Sequence, residues 1–334
     1  MLYELIKPYT SVSTIGMCKN AGKTTVLNRL ISDCAEAGEA IGLTSIGRDG
    51  ERSDVVTGTK KPEIYIYSGS VVATAEDALP LGDISREILG TTGMPTPMGE
   101  VVIVRAHSDG LVQIAGPSMT AQLKTLKKRM LGFGVKRVFI DGALSRKSLA
   151  MPAVSDGTIL CTGASYSRDI AKTCADTAHA AELMSLPVTE RTDAFCETGA
   201  KFTVFADGER FCLDGAPDAA DKLRECGAKA LCIRGGVTDA HFEALFSAGK
   251  ALRGLELVCE DGSRLLVSAK NYEKLLRAGA RVTVLERTVL LAVTVNPFSA
   301  YGAHYDKNRF IDGMRRALPE NIPVLNVLTE ENDA

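Results

Sequence analysis

Gly16-Met17-Cys18-Lys19-Asn20-Ala21-Gly22-Lys23-Thr24-Thr25 decides how this chain is read. A β-rich run, Ser11 to Ile15, precedes it, and apolar residues at helical spacing follow it: Val26, Leu27, Leu30, Ile31 and Cys34. The stretch is therefore expected to join a strand to a helix N-terminus, the setting a phosphate-binding loop requires. Glycine lets the backbone turn tightly around an anion, the N–H groups of the first helical turn point at it, and the helix dipole favours negative charge there. On that reading Gly16, Asn20, Ala21, Gly22, Lys23, Thr24 and Thr25 surround the phosphates of a bound nucleotide. Lys23 reaches the β and γ phosphates, Thr24 ligates Mg²⁺, and Thr25 touches the α phosphate.

The spacing carries further information. Counting back from Lys23, the usual first glycine falls on Met17, whereas Gly16 gives glycine, five residues, then Gly-Lys-Thr. This longer loop resembles that of dethiobiotin synthetase and its relatives, which include metallochaperone GTPases and partitioning ATPases. Partitioning ATPases carry a second lysine five positions before the phosphate lysine. Cys18 stands there in this chain and Lys19 is one place off, which argues against a lysine acting across a dimer.

With 334 residues and 45% hydrophobic content, the chain can form one large α/β domain or two of ordinary size. A formal net charge of −2 gives no sign of a nucleic-acid binder or of attraction to an anionic membrane. No run reaches the roughly 18 apolar residues of a membrane span. Met1 to Pro8 lacks the apolar core and cleavage site of a signal peptide, so a cytoplasmic protein is expected. The nine cysteines are scattered and form no Cys-x-x-Cys pair, so they read as reduced, mostly buried thiols. Cys18 is the exception, since a thiol in a phosphate loop would make the protein sensitive to oxidation.

Along the chain, Gly38 is expected to end the first helix and Ala40 to Ile46 to form a second buried strand. The charged segment Gly47 to Asp54 follows, at the carboxyl end of that strand, where open α/β sheets hold ligands. Arg48 suits stabilisation of transferred phosphoryl charge, and Asp49, Glu51 or Asp54 suits holding Mg²⁺ or orienting water. Residues 62 to 115 read as a β-rich insertion, with helical stretches near Glu76–Leu79 and Ile84–Leu89 and a loop at Met94–Pro97. His107-Ser108-Asp109 has the residue types of a catalytic triad, but chain neighbours diverge too far to relay a proton. Thr120 to Leu131 is an amphipathic helix whose lysines and Arg129 form a solvated face. Val138-Phe139-Ile140-Asp141 is an apolar strand ending in an aspartate, the form of a strand whose carboxylate supports a Mg²⁺ shell, so Asp141 joins Thr24 and Asp49 as a metal candidate.

Ser145-Arg146-Lys147-Ser148 follows that strand, Asp156 to Gly163 is another strand, and Asp169 to Ser185 is a helix. A boundary near Leu186-Pro187 divides the chain into a nucleotide-binding part, 1–185, and a C-terminal α/β part, 186–334, either a second domain or a continuation of the sheet. The expected fold is thus a P-loop NTPase-type, doubly wound and mostly parallel sheet. Asp239-Ala240-His241 nearly matches a cobalamin-ligand motif but fails at its last position and begins what reads as a capped helix. Asn296-Pro297 either reads a nucleotide base or terminates the last long strand. A guanine-reading Asn-Lys-x-Asp signature is absent, which points to ATP over GTP.

Several stretches together resemble one narrow family, the KamB-type reactivase subunit associated with lysine 5,6-aminomutase. They are Ile15–Thr25, Thr44–Glu51, Val72–Leu79, Val112–Pro117, Ile140–Ser148, Val154–Ala164 and Leu290–Pro297, and they span nearly the whole chain. The resemblance implies a repair role, in which ATP and Mg²⁺ drive release of damaged cobalamin from an adenosylcobalamin-dependent aminomutase. It leaves open a second reactivase subunit and a homodimer. Under that reading Arg48 to Asp54 is the candidate switch, ordered by the γ-phosphate and Mg²⁺ and released on hydrolysis. The other readings are an ATP-dependent ligase or carboxylase resembling dethiobiotin synthetase, and a nucleotide-sensing scaffold without turnover.

Overall fold

A computed structural model describes residues 2–46, 63–142, 154–191, 199–302 and 304–326. The chain opens with α1 (Leu2–Ile6), β1 (Ser11–Gly16), α2 (Lys23–Glu36) and β2 (Ile41–Ser45). Then come β3 (Ile64–Ile66), β4 (Val71–Ala75), a 3-10 segment at Glu76–Leu81, the hairpin β5 (Arg86–Thr96) and β6 (Gly99–Ala106), and β7 (Gly110–Val112). α3 (Thr120–Gly132), β8 (Arg137–Asp141), β9 (Gly157–Gly163) and α4 (Ile170–Met184) follow. The next stretch holds β10 (Phe202–Ala206), β11 (Glu209–Leu213), α5 (Ala216–Cys226), β12 (Ala230–Ile233), β13 (Val237–Thr238) and α6 (Asp239–Leu245). It continues through β14 (Glu256–Cys259), β15 (Leu265–Leu266), α7 (Ala269–Arg277) and β16 (Arg281–Val284), and the chain ends with β17 (Leu290–Asn296), α8 (Lys307–Ala317) and β18 (Val324–Leu325).

The fold is mixed α/β around a nine-stranded sheet of order β18-β17-β9-β1-β8-β2-β4-β6-β5. Strands β18 through β4 in that order run parallel, and β6 alone is reversed, pairing antiparallel with both β4 and the edge strand β5. From β1 the chain steps to β2 and β4 on one side; from β9 it leads eventually to β17 and β18 on the other. β1 and β9 are therefore neighbours whose connections depart in opposite directions. In open α/β sheets the crevice at the carboxyl ends of such a pair is where ligands bind.

Two compact units divide the chain: Met1–Ala178 with Val289–Ala334, and His179–Thr288. Of the segment 186–334, expected as a second domain or a continuation of the sheet, residues 186–288 lie in the second unit and 289–334 in the first. β17 pairs with β9 from Leu290 to Asn296 and so belongs to the nine-stranded sheet. An apolar strand's own pattern states that it is buried, not which strand it pairs with. The second unit is a five-stranded sheet, β11-β10-β12-β14-β16. Its strand period shows in the burial: Phe202, Val204, Leu231, Ile233, Leu257, Cys259, Val282 and Val284 pack with helix residues such as Leu223, Phe242 and Leu275. Alternate residues Phe205, Ala230, Cys232 and Val258 cluster separately.

The expected insertion at 62–115 is largely the rim of the main sheet, supplied by β4, β6 and β5, while β3 and β7 pair with each other. Ile84–Leu89 is not helical: Arg86 to Leu89 begins β5, and Met94 to Thr96, expected in a loop, ends it. Pro95 is tolerated because β5 is an edge strand, where a missing N–H breaks no ladder on the open side. Register shifts between Ile88 and Gly90 and between Thr91 and Pro95 mark the bulges. On α3, Lys127 reaches Ser11 Oγ at 3.1 Å and Asp156 at 3.3 Å, and Arg129 donates to the Thr91 carbonyl at 2.7 Å, so part of the basic run holds the fold together. Seven cysteines are free thiols. Cys212 is disulfide-bonded, contrary to the expectation of reduced cysteines throughout. It lies exposed on the edge strand β11, not in the core. No described helix is long and apolar enough to cross a membrane.

Candidate functional site

The site is built on the Gly16–Thr25 stretch between β1 and α2. Val26, Leu27, Leu30, Ile31 and Cys34 form one stripe of α2 and are each at most 2% exposed. Burying side chains of this size contributes about 1.5–3 kcal/mol apiece, which fixes the helix and therefore its first turn. Val26 N–H donates to the Gly22 carbonyl at 3.0 Å, and no side chain caps the helix. Helix geometry leaves the earlier N–H groups without intrahelical acceptors. Gly22 has φ 94°, a left-handed conformation suited to glycine, and Asn20 has φ 57°. A Cβ at Gly16 would lie 3.1 Å from the Cys18 carbonyl oxygen and 3.2 Å from Lys23 Nζ. The Lys23 side chain thus folds back across the turn onto Gly16, its ammonium at the end of β1.

Neighbouring strands bring further groups to this end. Asp141 closes β8 in register with Thr14 of β1 and Ser45 of β2. Burial pushes the Cys161 thiol on β9 up to about 11, with Lys23 opposing and Asp141 reinforcing that shift, so both charges lie near the same buried thiol. Met17 N–H donates to the Cys161 carbonyl at 2.8 Å, extending the β1–β9 ladder into the loop. Asn296, at the end of β17, donates from Nδ2 to the Asn20 carbonyl at 3.3 Å and accepts the Phe298 N–H at 3.0 Å. It therefore both ends its strand and buttresses the loop. A shallow depression lies between the first turn of α2 and β17, lined by Gly22, Thr25, Thr294 and Asn296 among others.

Two loops form the rim. After β9, Tyr166 donates to Asp176 at 2.9 Å, and Tyr305 donates to the Ser167 carbonyl at 2.6 Å. After β17, Ala300 N–H donates to Ser165 Oγ at 3.3 Å, linking the two loops. No motif marks these residues in the sequence; the signal present is aromatic residues just beyond apolar strands, at Tyr166, Phe298, Tyr301 and Tyr305.

The surroundings of Cys18 oppose the thiolate that oxidation sensitivity would require. Burial pushes its pKa up to about 11, and the nearby Lys23 charge offsets only part of that. The thiolate is the reactive form, so Cys18 is mostly in its unreactive thiol form near neutral pH. Alkylation of Cys18 by iodoacetamide, followed by peptide mass mapping, should be slow at pH 8 and accelerate toward pH 11; rapid labelling at pH 7 would contradict this environment.

Arg48, Asp49, Glu51, Asp54 and Ser145–Ser148 lie outside the described residues. Gly16, Asn20, Ala21, Gly22, Lys23, Thr24, Thr25, Asp141 and Asn296 are brought to one end of one sheet. Other motifs have local roles. Ser108 Oγ accepts the Ser85 N–H and Asp109 accepts the Ser68 N–H, so the triad-like run is a loop clasp. His241 Nδ1 accepts the Thr238 N–H at 2.9 Å, and Asp239 accepts from Ser268 at 2.9 Å, so the cobalamin-like run caps helices. Among the described residues no three His, Cys, Asp or Glu side chains cluster as a metal site.

Compared with known proteins, the chain matches no family model, no curated protein and no solved structure. An ammonium, the free N–H groups of a helix start and an Asn20 amide nitrogen, buried with no hydrogen-bond partner among the described residues, are all donors suited to phosphate oxygens. Thr24 and Asp141 are both hard oxygen donors suited to Mg²⁺.

Proposed function

We propose that this chain is a P-loop nucleoside triphosphatase using ATP and Mg²⁺. The observation that carries this reading is Lys23 folded over Gly16 at the start of α2, with Asp141 ending the adjacent strand. The Gly16–Thr25 loop would hold the phosphates, Lys23 would balance their charge, and Thr24 with Asp141 would hold Mg²⁺. When bound, Mg·ATP supplies the phosphoanhydride whose cleavage provides the driving force. The chain's own part is positioning and electrostatic stabilisation, which dominate phosphoryl transfer.

The sequence resemblance supports a specific use of this chemistry: reactivation of an adenosylcobalamin-dependent aminomutase of the lysine 5,6 type by expelling damaged cobalamin. Nucleotide binding drives such a cycle only through different affinities for two conformations. The test is phosphate release from ATP and GTP by the purified protein, with and without aminomutase inactivated by hydroxycobalamin. Stimulation by the inactive mutase supports the reactivase reading. Turnover that requires a small acid or amine instead would favour a ligase, and binding without turnover a scaffold.

A further inference from the structure

Resting on the nucleotide reading above, we propose that the Phe298–Tyr301 loop is an aromatic platform on which the nucleotide base stacks, so that the base is held by its face and not by its edge. Phe298 and Tyr301 are each 55% exposed. These two large aromatic side chains are presented to solvent within four residues of each other, immediately beyond Asn296, which buttresses the candidate phosphate loop.

The loop that presents them is tightly braced. Phe298 N–H is held by Asn296 Oδ1, Tyr301 N–H donates to Ser299 Oγ at 3.1 Å, Gly302 N–H donates to the Ser299 carbonyl at 3.2 Å, and Tyr305 N–H donates to the Pro297 carbonyl at 2.9 Å. The His304 ring packs against Phe298 edge to face, with centroids 5.5 Å apart and planes at 71°. Such contacts fix an aromatic ring without covering it entirely. The distance along the chain is short: Asn296, two residues from Phe298, bonds to the Asn20 carbonyl of the loop. The loop that carries the two rings therefore starts two residues from the candidate phosphate loop.

Chemistry then decides what is recognised. Every nucleobase offers a π-face, so stacking on an aromatic side chain tolerates changes at the base edge. Asn296, expected either to read that edge or to end its strand, has its amide oxygen and its amide nitrogen each in a hydrogen bond within the chain. Recognition by face predicts ATP and GTP binding with similar affinity, and pyrimidine triphosphates, with less area to stack, binding more weakly.

The chain contains no tryptophan, so Phe298→Trp introduces a single indole at the proposed stacking position. Mg·ATP and Mg·GTP should quench its fluorescence, while Mg·tripolyphosphate, which carries the phosphates without a base, should not. In calorimetric titrations Phe298→Ala should weaken ATP binding roughly ten-fold and leave tripolyphosphate binding unchanged. The tripolyphosphate measurement also shows that the variant is folded. Wild-type ATP affinity in Phe298→Ala, or an indole indifferent to ATP that calorimetry shows to be bound, would overturn the platform while leaving the nucleotide reading standing. Failure of the unmodified protein to bind either ATP or tripolyphosphate would overturn both.

Discussion

Replacing Lys23 with alanine should lower the affinity for Mg·ATP by roughly 100-fold and leave the melting temperature almost unchanged. The size follows from the ammonium's position. Hydrogen bonds to charged groups contribute about 1.5–3 kcal/mol each, and an amine spanning two phosphates loses more than one at once. Thermal stability should survive because Lys23 makes no ion pair among the described residues and is only half-buried. Lys23→Arg is not a conservative control, since a planar guanidinium cannot occupy the space where Nζ lies 3.2 Å from the Cβ position of Gly16. Gly16→Ala approaches the same contact from the other side, displacing the amine, and should lower affinity in the same direction. Calorimetric titration with Mg·ATP and differential scanning fluorimetry measure the two quantities. Wild-type affinity in Lys23→Ala would remove the basis of the proposed function.

The parts of this architecture that could be read from sequence are those whose cause is local. The spacing of Val26, Leu27, Leu30, Ile31 and Cys34 states a helix and its buried face, and Gly38, with φ 70° just past Glu36, states its end. The run Val138 to Asp141 likewise reads as a buried strand whatever its neighbours. What could not be read depends on partners distant in the chain. Nothing in Leu290 to Asn296 announces that it returns past the second unit to pair with β9, and without that pairing Asn296 has no connection to Asn20. Arg86 to Thr96 misleads for a different reason. Ile84, Ile88 and Leu89 satisfy a helical spacing, and Pro95 argues against a strand, yet an edge position with bulges accommodates both. The rim residues Tyr166, Phe298 and Tyr301 carry no motif, so only the meeting of two loops at one sheet end singles them out.

A second large effect is expected far from this site, at Arg137, which is 1% exposed at the start of β8 and thus at the opposite end of the strand from Asp141. Its guanidinium donates to the Ile6 carbonyl at 2.8 Å and to Glu39 Oε2 at 2.5 Å, joining α1, the segment between α2 and β2, and β8. Glu39 also accepts from the Tyr3 hydroxyl at 2.7 Å and from Lys136 at 2.6 Å. Burial would by itself raise the Glu39 pKa, but the hydrogen bonds from Lys136 and Tyr3 and the charge of Arg137 hold it below the ordinary value of 4.5. That stabilisation is present above the unfolded-state value and is lost as pH falls through the lower folded value. Arg137→Met leaves a carboxylate with 7% side-chain exposure facing Lys136, which is 62% exposed and cannot replace a buried partner. Removing one member of a buried ion pair costs about 3–5 kcal/mol, a large share of the roughly 5–15 kcal/mol that holds a folded protein together. Arg137→Met with Glu39→Gln should recover part of the loss, because the unbalanced charge is gone while the hydrogen bond from Tyr3 can persist. Urea denaturation followed by circular dichroism at pH 7 measures both variants, and Mg·ATP titration of Arg137→Met should match the unmodified protein. A loss below about 1 kcal/mol would mean that desolvation of Arg137 and Glu39 offsets their attraction, and that α1 is held by its apolar residues Leu2 and Ile6 alone.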